Sequence, residues 1–185
     1  MANNIIYLTG FMTSGKSTIG PILANVMGWD FYDLDREIEK LENKTVVEIF
    51  EAKGEKYFRE KETEALTSLS ELKNIVVSLG GGTIANENNL AIMKNTGKII
   101  YLKVSIEVLY RRLRNKIDRP LFRELTLGQS PEEDYKKKIE ELLKLRMGYY
   151  EKADLIISTE TTRIGITVDL IAKKAKKLLY EKNRR

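Results

Sequence analysis

The 185-residue chain contains no cysteine and no histidine. That double absence excludes disulfides, thiolate and imidazole nucleophiles, Ser-His-Asp triads and ordinary zinc sites. No apolar run approaches the roughly 18 residues that span a bilayer, and no signal-peptide pattern opens the chain, so a cytoplasmic protein without a membrane partner is expected. What remains for catalysis is carboxylates, lysines, arginines, backbone amides and a hard cation. Phosphoryl transfer is the large reaction class those groups serve, because it depends on positioning and charge neutralisation more than on a side-chain nucleophile.

Hydrophobic residues make up 42% and charged ones 32%, the balance of a soluble globular protein. The length suits one domain spanning residues 1–185. The net charge of +5 is unevenly placed: Lys173 to Arg185 holds 7 of the 32 basic and 1 of the 27 acidic residues, leaving 25 basic against 26 acidic elsewhere. The body is therefore close to neutral, and the basic tail reads as a solvated helix face, with an anionic-partner site as the alternative. Nucleic acid is not expected as a partner, and a monomer is.

Short β-rich runs alternate with longer helical stretches, the pattern of a parallel sheet covered on both faces. Strands are expected at Ile5–Thr9, Phe31–Leu34, Ile75–Leu79, Lys98–Val104 and Leu155–Ser158. Helices are expected at Lys16–Met27, Asp35–Glu42, Val46–Ala52, Lys56–Leu72, Asn88–Asn95, Ile106–Arg114, Pro131–Glu151 and Ile164–Tyr180. The fold class is thus α/β, a three-layer α/β/α arrangement on a five-stranded parallel sheet. In the last helix Ile164, Val168, Ile171, Ala175 and Leu178 follow steps of four and three, predicting its core face. Lys116 to Gln129 has weak periodicity and an internal Pro120, and reads as a mobile loop or lid between two helices.

Gly10-Phe11-Met12-Thr13-Ser14-Gly15-Lys16-Ser17 matches G-x-x-x-x-G-K-S between an apolar strand and a helix. Such a loop turns its N–H groups toward phosphates, adds the helix N-terminus, sends Lys16 to the outer phosphates and offers the Ser17 hydroxyl to Mg²⁺. Nucleoside triphosphate binding follows, but not the identity of the acceptor.

Other patterns carry two readings each. Asp33 and Asp35 share one side of an extended segment at a strand end, where one could serve Mg²⁺ and the other polarise a hydroxyl; the alternative is Asp35 as the N-cap of the next helix and Asp33 as a polar strand end. Arg59 and Glu62 lie three apart on one helical face, as a ligand pair or a surface salt bridge. Gly80-Gly81-Gly82 ends a strand, letting backbone approach a ligand or making a flexible turn. Tyr135, Ile139, Leu142, Arg146, Tyr149 and Ala153 place an arginine on an apolar stripe, and a buried guanidinium needs an anion; the rival stripe Leu142, Leu145, Tyr149 leaves Arg146 snorkelling at its edge.

In order, the phosphate loop through Thr18, the D-x-D, the F-R-x-x-E of Phe58 to Glu62, the triple glycine, Arg119-Pro120-Leu121 and an arginine before Tyr149-Tyr150 resemble the shikimate kinases. The resemblance covers Gly10 to Tyr150 and implies a P-loop kinase fold with a lid at about 116–129 and an acceptor region at about 33–62. It implies ATP and shikimate as substrates and Mg²⁺ as cofactor. Gly10, Met12, Thr13, Ser14, Gly15, Lys16, Ser17 and Thr18 would hold the nucleotide, Arg112 would lie against adenine, and Ser17 and Asp33 would serve the metal. Asp35 would be the base at the reacting hydroxyl, with Lys16 and Arg119 also catalytic. Arg59 and Arg146 would clamp the carboxylate, Glu62 would orient Arg59, and Gly80, Gly81 and Gly82 would meet substrate hydroxyls. The chain departs from the family at Ile157-Ser158-Thr159, where an aspartate and a following proline often serve adenine; a Walker B aspartate is absent too, with Ser78 in its place, as is typical there. Other acceptors, gluconate or a nucleoside monophosphate, and a non-catalytic nucleotide-binding module with a basic tail are the competing readings.

Overall fold

A computed structural model describes residues 4–116, 120–160 and 163–182. Its strands are β1 (Ile5–Thr9), β2 (Asp30–Asp33), β3 (Ile75–Ser78), β4 (Gly97–Lys103) and β5 (Leu155–Ser158). They form one parallel sheet in the order β2-β3-β1-β4-β5. β1 is central, with Tyr7 opposite Val77 on one side and Ile99 on the other. All five β1 residues are buried, as expected of a strand covered on both faces.

Alternation along β1 divides the interior in two. Ile5 and Tyr7 point into a core completed by α2 (Leu34–Glu42), α3 (Val46–Ser70), α4 (Glu87–Thr96), α5 (Ile106–Leu113), α6 (Pro120–Leu127) and α7 (Glu132–Tyr150). Ile6 and Leu8 point the other way, against α1 (Lys16–Met27) and α8 (Ile164–Lys182). The three-layer α/β/α architecture expected from the alternating pattern is what forms. Among the described residues no helix is long and apolar enough to cross a membrane.

Several local expectations change. Asp33 is the N-cap of α2, accepting from Arg36 N at 3.4 Å, so the second strand stops one residue early and Leu34 already belongs to the helix. The two helices expected at 46–52 and 56–72 are one element kinked at Gly54, whose φ of 78° and ψ of 171° break the helical path without a β-carbon to obstruct it. Its start is fixed by a capping box between Thr45 and Glu48.

The segment 116–129, expected as a loop, contains helix α6. Pro120 stands at its first position, where a missing N–H is harmless, and Phe122 is buried with Leu121 and Leu125 partly so. Phe122 packs edge-on to Phe11 of the phosphate loop at 6.2 Å and against Tyr135 at 6.2 Å, and Arg123 pairs with Glu51 of α3. On α8 the core face is Val168, Ile171, Ala172, Ala175 and Leu179; Ile164 is exposed and Leu178 only partly buried. Lys173, Lys174, Lys176 and Lys177 face solvent.

Candidate active site

The phosphate loop leaves β1 at Thr9 and enters α1 at Lys16 with Gly10 at φ 146° and Gly15 at φ 106°. A side chain at Gly10 would also stand 2.7 Å from Leu102 O. Thr13 sits at φ 61°, a conformation that a β-branched residue seldom adopts and that the motif alone does not announce. Lys16 is buried, its ammonium donating to Gly10 O at 2.8 Å and Phe11 O at 2.9 Å, so the charge is held over the mouth of the loop. The Ser17 hydroxyl donates to Asp33 Oδ2 at 3.2 Å. Asp33 therefore both caps α2 and faces the loop, whereas Asp35, the expected cap, lies inside the first turn of the helix.

A cavity of about 360 Å³ opens above the loop, lined by Met12, Thr13, Gly15, Lys16, Ser17, Thr18, Asp33, Asp35, Ser78, Leu79, Gly80, Gly81, Arg112 and Lys116. Arg112 donates from Nη1 to Thr13 O at 2.9 Å and also lines an adjoining cleft with Ser14, Thr159 and Ile164. In that cleft the Thr159 hydroxyl donates to Ser14 O at 3.2 Å, so the departing Ile157-Ser158-Thr159 segment ties β5 to the phosphate loop.

A second, smaller chamber shares Met12, Asp35, Gly80 and Gly81 with the first and is closed by Phe50, Phe58, Arg59, Glu62, Gly82, Arg146 and, from α6, Pro120 and Leu121. Glu62 is wholly buried, and Arg59 Nη1 donates to both of its oxygens at 3.1 and 3.0 Å. The other edge of Arg59 reaches Glu55 from Nε at 3.2 Å and Nη2 at 2.9 Å. Burial works against the Arg59 charge, and these ion pairs outweigh it, holding the guanidinium above its ordinary value. The surface salt bridge reading thus fails on its Glu62 side.

The triple glycine makes room for these side chains. A β-carbon on Gly80 would stand 2.8 Å from Glu62 Oε1 and 3.0 Å from Asp35 Oδ1; one on Gly82 would stand 2.9 Å from Arg59 Nη2. Gly81 lies beside Arg146, and its carbonyl accepts from Tyr150 Oη at 2.7 Å. Tyr150 stacks on Tyr101 at 4.5 Å, and burial pushes its phenol well above the ordinary value despite the Arg146 charge nearby.

Arg146 is 7% exposed, on the face of α7 formed by Tyr135, Ile139, Leu143 and Tyr150 rather than Leu142 and Tyr149. The expected stripe was one residue off on either side of the arginine, because the helix turns Leu143 and Tyr150 into the core and leaves Leu142 and Tyr149 at its margin. Its carbon Cζ lies 5.8 Å from the Phe11 ring centre, and Nη1 has no hydrogen-bond partner among the described residues. Arg119 lies outside the described residues. Two contributors escaped sequence reading: Lys116 in the first chamber and Thr83, whose hydroxyl donates to Glu62; Met12, expected only at the nucleotide, walls both chambers. Adjacency to the triple glycine was the one signal for Thr83.

A phosphate loop at the carboxyl end of the central strand, opening sideways onto a chamber holding two arginines and two carboxylates, one of them already paired with Arg59, defines a P-loop kinase with a small anionic acceptor. The family model described as shikimate kinase matches residues 12–178. A shikimate kinase of Chloroherpeton thalassium is 42% identical over 170 residues, 92% of this chain and 91% of that protein. A crystal structure of shikimate kinase from Bacteroides thetaiotaomicron superposes with a TM-score of 0.84 at 32% identity, covering 94% of this chain and 98% of that one. The shikimate kinase from Acinetobacter baumannii in complex with shikimate gives 0.82 at 34% identity, covering 98% and 96%. The chain belongs to the shikimate kinase family, whose members are ATP-dependent kinases acting on the shikimate hydroxyl.

Proposed function

We propose that the two chambers divide one reaction between them, transfer of the γ-phosphoryl group of ATP to the 3-hydroxyl of shikimate, giving shikimate 3-phosphate and ADP. The phosphate loop, Gly10 to Thr18, takes the triphosphate on its N–H groups and the α1 N-terminus, with Lys16 at the outer phosphates and Arg112 toward the base. Asp35, which lines both chambers, receives the hydroxyl proton as the acceptor oxygen bonds to the γ-phosphorus and the bond to the β–γ bridging oxygen breaks. Arg59 and Arg146 take the carboxylate on the far side, and backbone at Gly80 to Gly82 lines the ring. Arg119 supplies charge to the transferring group as the lid, with Pro120 and Leu121, covers the acceptor and excludes water.

The donors at Ser17 and Asp33 fit a hard cation, since a hydroxyl and a carboxylate oxygen meet at 3.2 Å beside the phosphate loop. Mg²⁺ held there would neutralise phosphate charge. The reading carries with it a cytoplasmic monomer that needs no nucleic-acid partner.

The observation that carries this reading is Arg146. A buried guanidinium whose Nη1 has no partner among the described residues, set in the chamber next to Arg59, is complementary to an acceptor carboxylate. ADP release from Mg-ATP in a coupled assay, with shikimate, gluconate and nucleoside monophosphates supplied separately, tests it. Stimulation by shikimate alone is expected; ATP binding with no stimulation by shikimate would remove the acceptor assignment.

A further inference from the structure

The clamp has a support that does not itself touch the acceptor, and we infer that Thr83 is a positioning residue that sets the orientation of Arg59 through Glu62. The inference rests on the reading of Arg59 as a ligand of the acceptor carboxylate. Glu62 is a wholly buried carboxylate, and such a group is stable only when its lone pairs are met. Arg59 Nη1 reaches both oxygens, which alone would let the carboxylate pivot about the guanidinium. The Thr83 hydroxyl adds a third bond, to Oε1 at 2.6 Å, the short distance of an O–H donor on a charged acceptor.

Thr83 is itself immobilised. It is wholly buried, its N–H donates to Gly80 O at 3.3 Å, and its carbonyl accepts from Asn89 Nδ2 at 3.0 Å. Asn89 stands in the first turn of α4, where its N–H donates to the N-cap side chain of Asn86 at 3.2 Å. A continuous line of hydrogen bonds therefore runs from the start of α4 through Asn89, Thr83 and Glu62 to the guanidinium. Gly80 preserves it, since a β-carbon there would stand 2.8 Å from Glu62 Oε1 and 3.1 Å from Thr83 Oγ1. Without the hydroxyl, Oε1 keeps Arg59 as its donor, and the carboxylate turns toward the guanidinium and competes with the acceptor for it.

The test is steady-state kinetics on the full chain at saturating Mg-ATP with shikimate varied. Thr83→Val, nearly isosteric, is expected to raise the shikimate KM about tenfold with kcat within about twofold and the ATP KM unchanged, and Thr83→Ser to restore the KM within about twofold. Arg59→Ala is expected to raise the KM further, and Thr83→Val added to it to change the KM less than about twofold, because both act through one contact. A normal KM in Thr83→Val beside a raised one in Arg59→Ala refutes the role of Thr83 and leaves the clamp standing. A normal KM in Arg59→Ala removes the clamp reading and the inference with it. Thr83→Ser behaving like Thr83→Val shows that the hydroxyl is not the agent. Should Thr83→Val not fold, Thr83→Ala carries the same expectations.

Discussion

Replacing Arg146 by methionine should make the free protein more stable and the enzyme much worse. The side chain is 7% exposed and its Nη1 has no hydrogen-bond partner among the described residues, and a buried donor left in that state costs about 1–3 kcal/mol. Methionine fills a similar volume with no donor. The change also forfeits the contact with the Phe11 ring, 5.8 Å from Cζ, worth about 0.5–1 kcal/mol. The net is a gain of about 1 kcal/mol, or roughly 2–4 °C in Tm for a chain of this size. Loss of a buried charge pair costs about 3 kcal/mol in acceptor binding, a rise of roughly 150-fold in the shikimate KM. Thermal unfolding with and without shikimate, beside the coupled assay, reads both effects. Shikimate at about 100 times its Kd should stabilise the parent by roughly 2.7 kcal/mol and the variant scarcely at all. A variant with lowered Tm and unchanged KM would show that the guanidinium is a structural cation already satisfied in the fold, and the argument for an anionic acceptor would lose its main support.

Asp35→Asn should lower kcat by about 10²–10⁴ with the ATP KM unchanged, since it removes the proton acceptor and leaves the phosphate loop alone; turnover within tenfold of the parent would take Asp35 out of the chemistry. Gly82→Ala would put a carbon 2.9 Å from Arg59 Nη2, and displacing the clamp should cut kcat/KM for shikimate about 100-fold, read against an unchanged ATP KM. Burial pushes Tyr7 up to about 12, despite its bond to Thr96, and raises Tyr101 and Tyr150 too. Unfolded phenols lose protons from about pH 10 while the folded ones keep theirs, so stability is intact below that pH and falls above it by up to about 1.4 kcal/mol per pH unit for each. Urea unfolding at pH 9, 10 and 11 should show that fall, with a shallower slope in Tyr7→Phe; identical slopes would contradict the assignment.

The strongest local signals were readable in advance. β1, β5 and α1 begin and end where their apolar runs and the phosphate loop place them, and β1, buried on both sheet faces, has the least freedom. The expectations that moved are those decided by single groups. Asp33 takes the cap and ends β2 one residue early; Gly54 bends a helix without ending it; Phe122 and its neighbours fold a segment whose polar residues mask a short apolar face. In the acceptor chamber the arginines and acids were legible as types, but their pairing was not. Nothing in the spacing of Arg59 and Glu62 says that the carboxylate is buried, since burial comes from Thr83 and the triple glycine across the chain. On α7 a step of four in place of three exchanged Leu142 for Leu143 and Tyr149 for Tyr150, while Arg146 stayed inward under either count.

The strand order has a consequence for how such a site can change over time. β1, β3 and β2 are successive neighbours, and each ends in one working part: the phosphate loop after Thr9, the triple glycine after Ser78, the aspartates at Asp33 and Asp35. Adjacent strands lie about 4.8 Å apart, so the gap between donor and acceptor is measured out in backbone hydrogen bonds. The sheet is a ruler that surface mutations cannot stretch. Residues on α3 and α7 can therefore exchange one acceptor for another while the phosphoryl group always has the same short distance to travel.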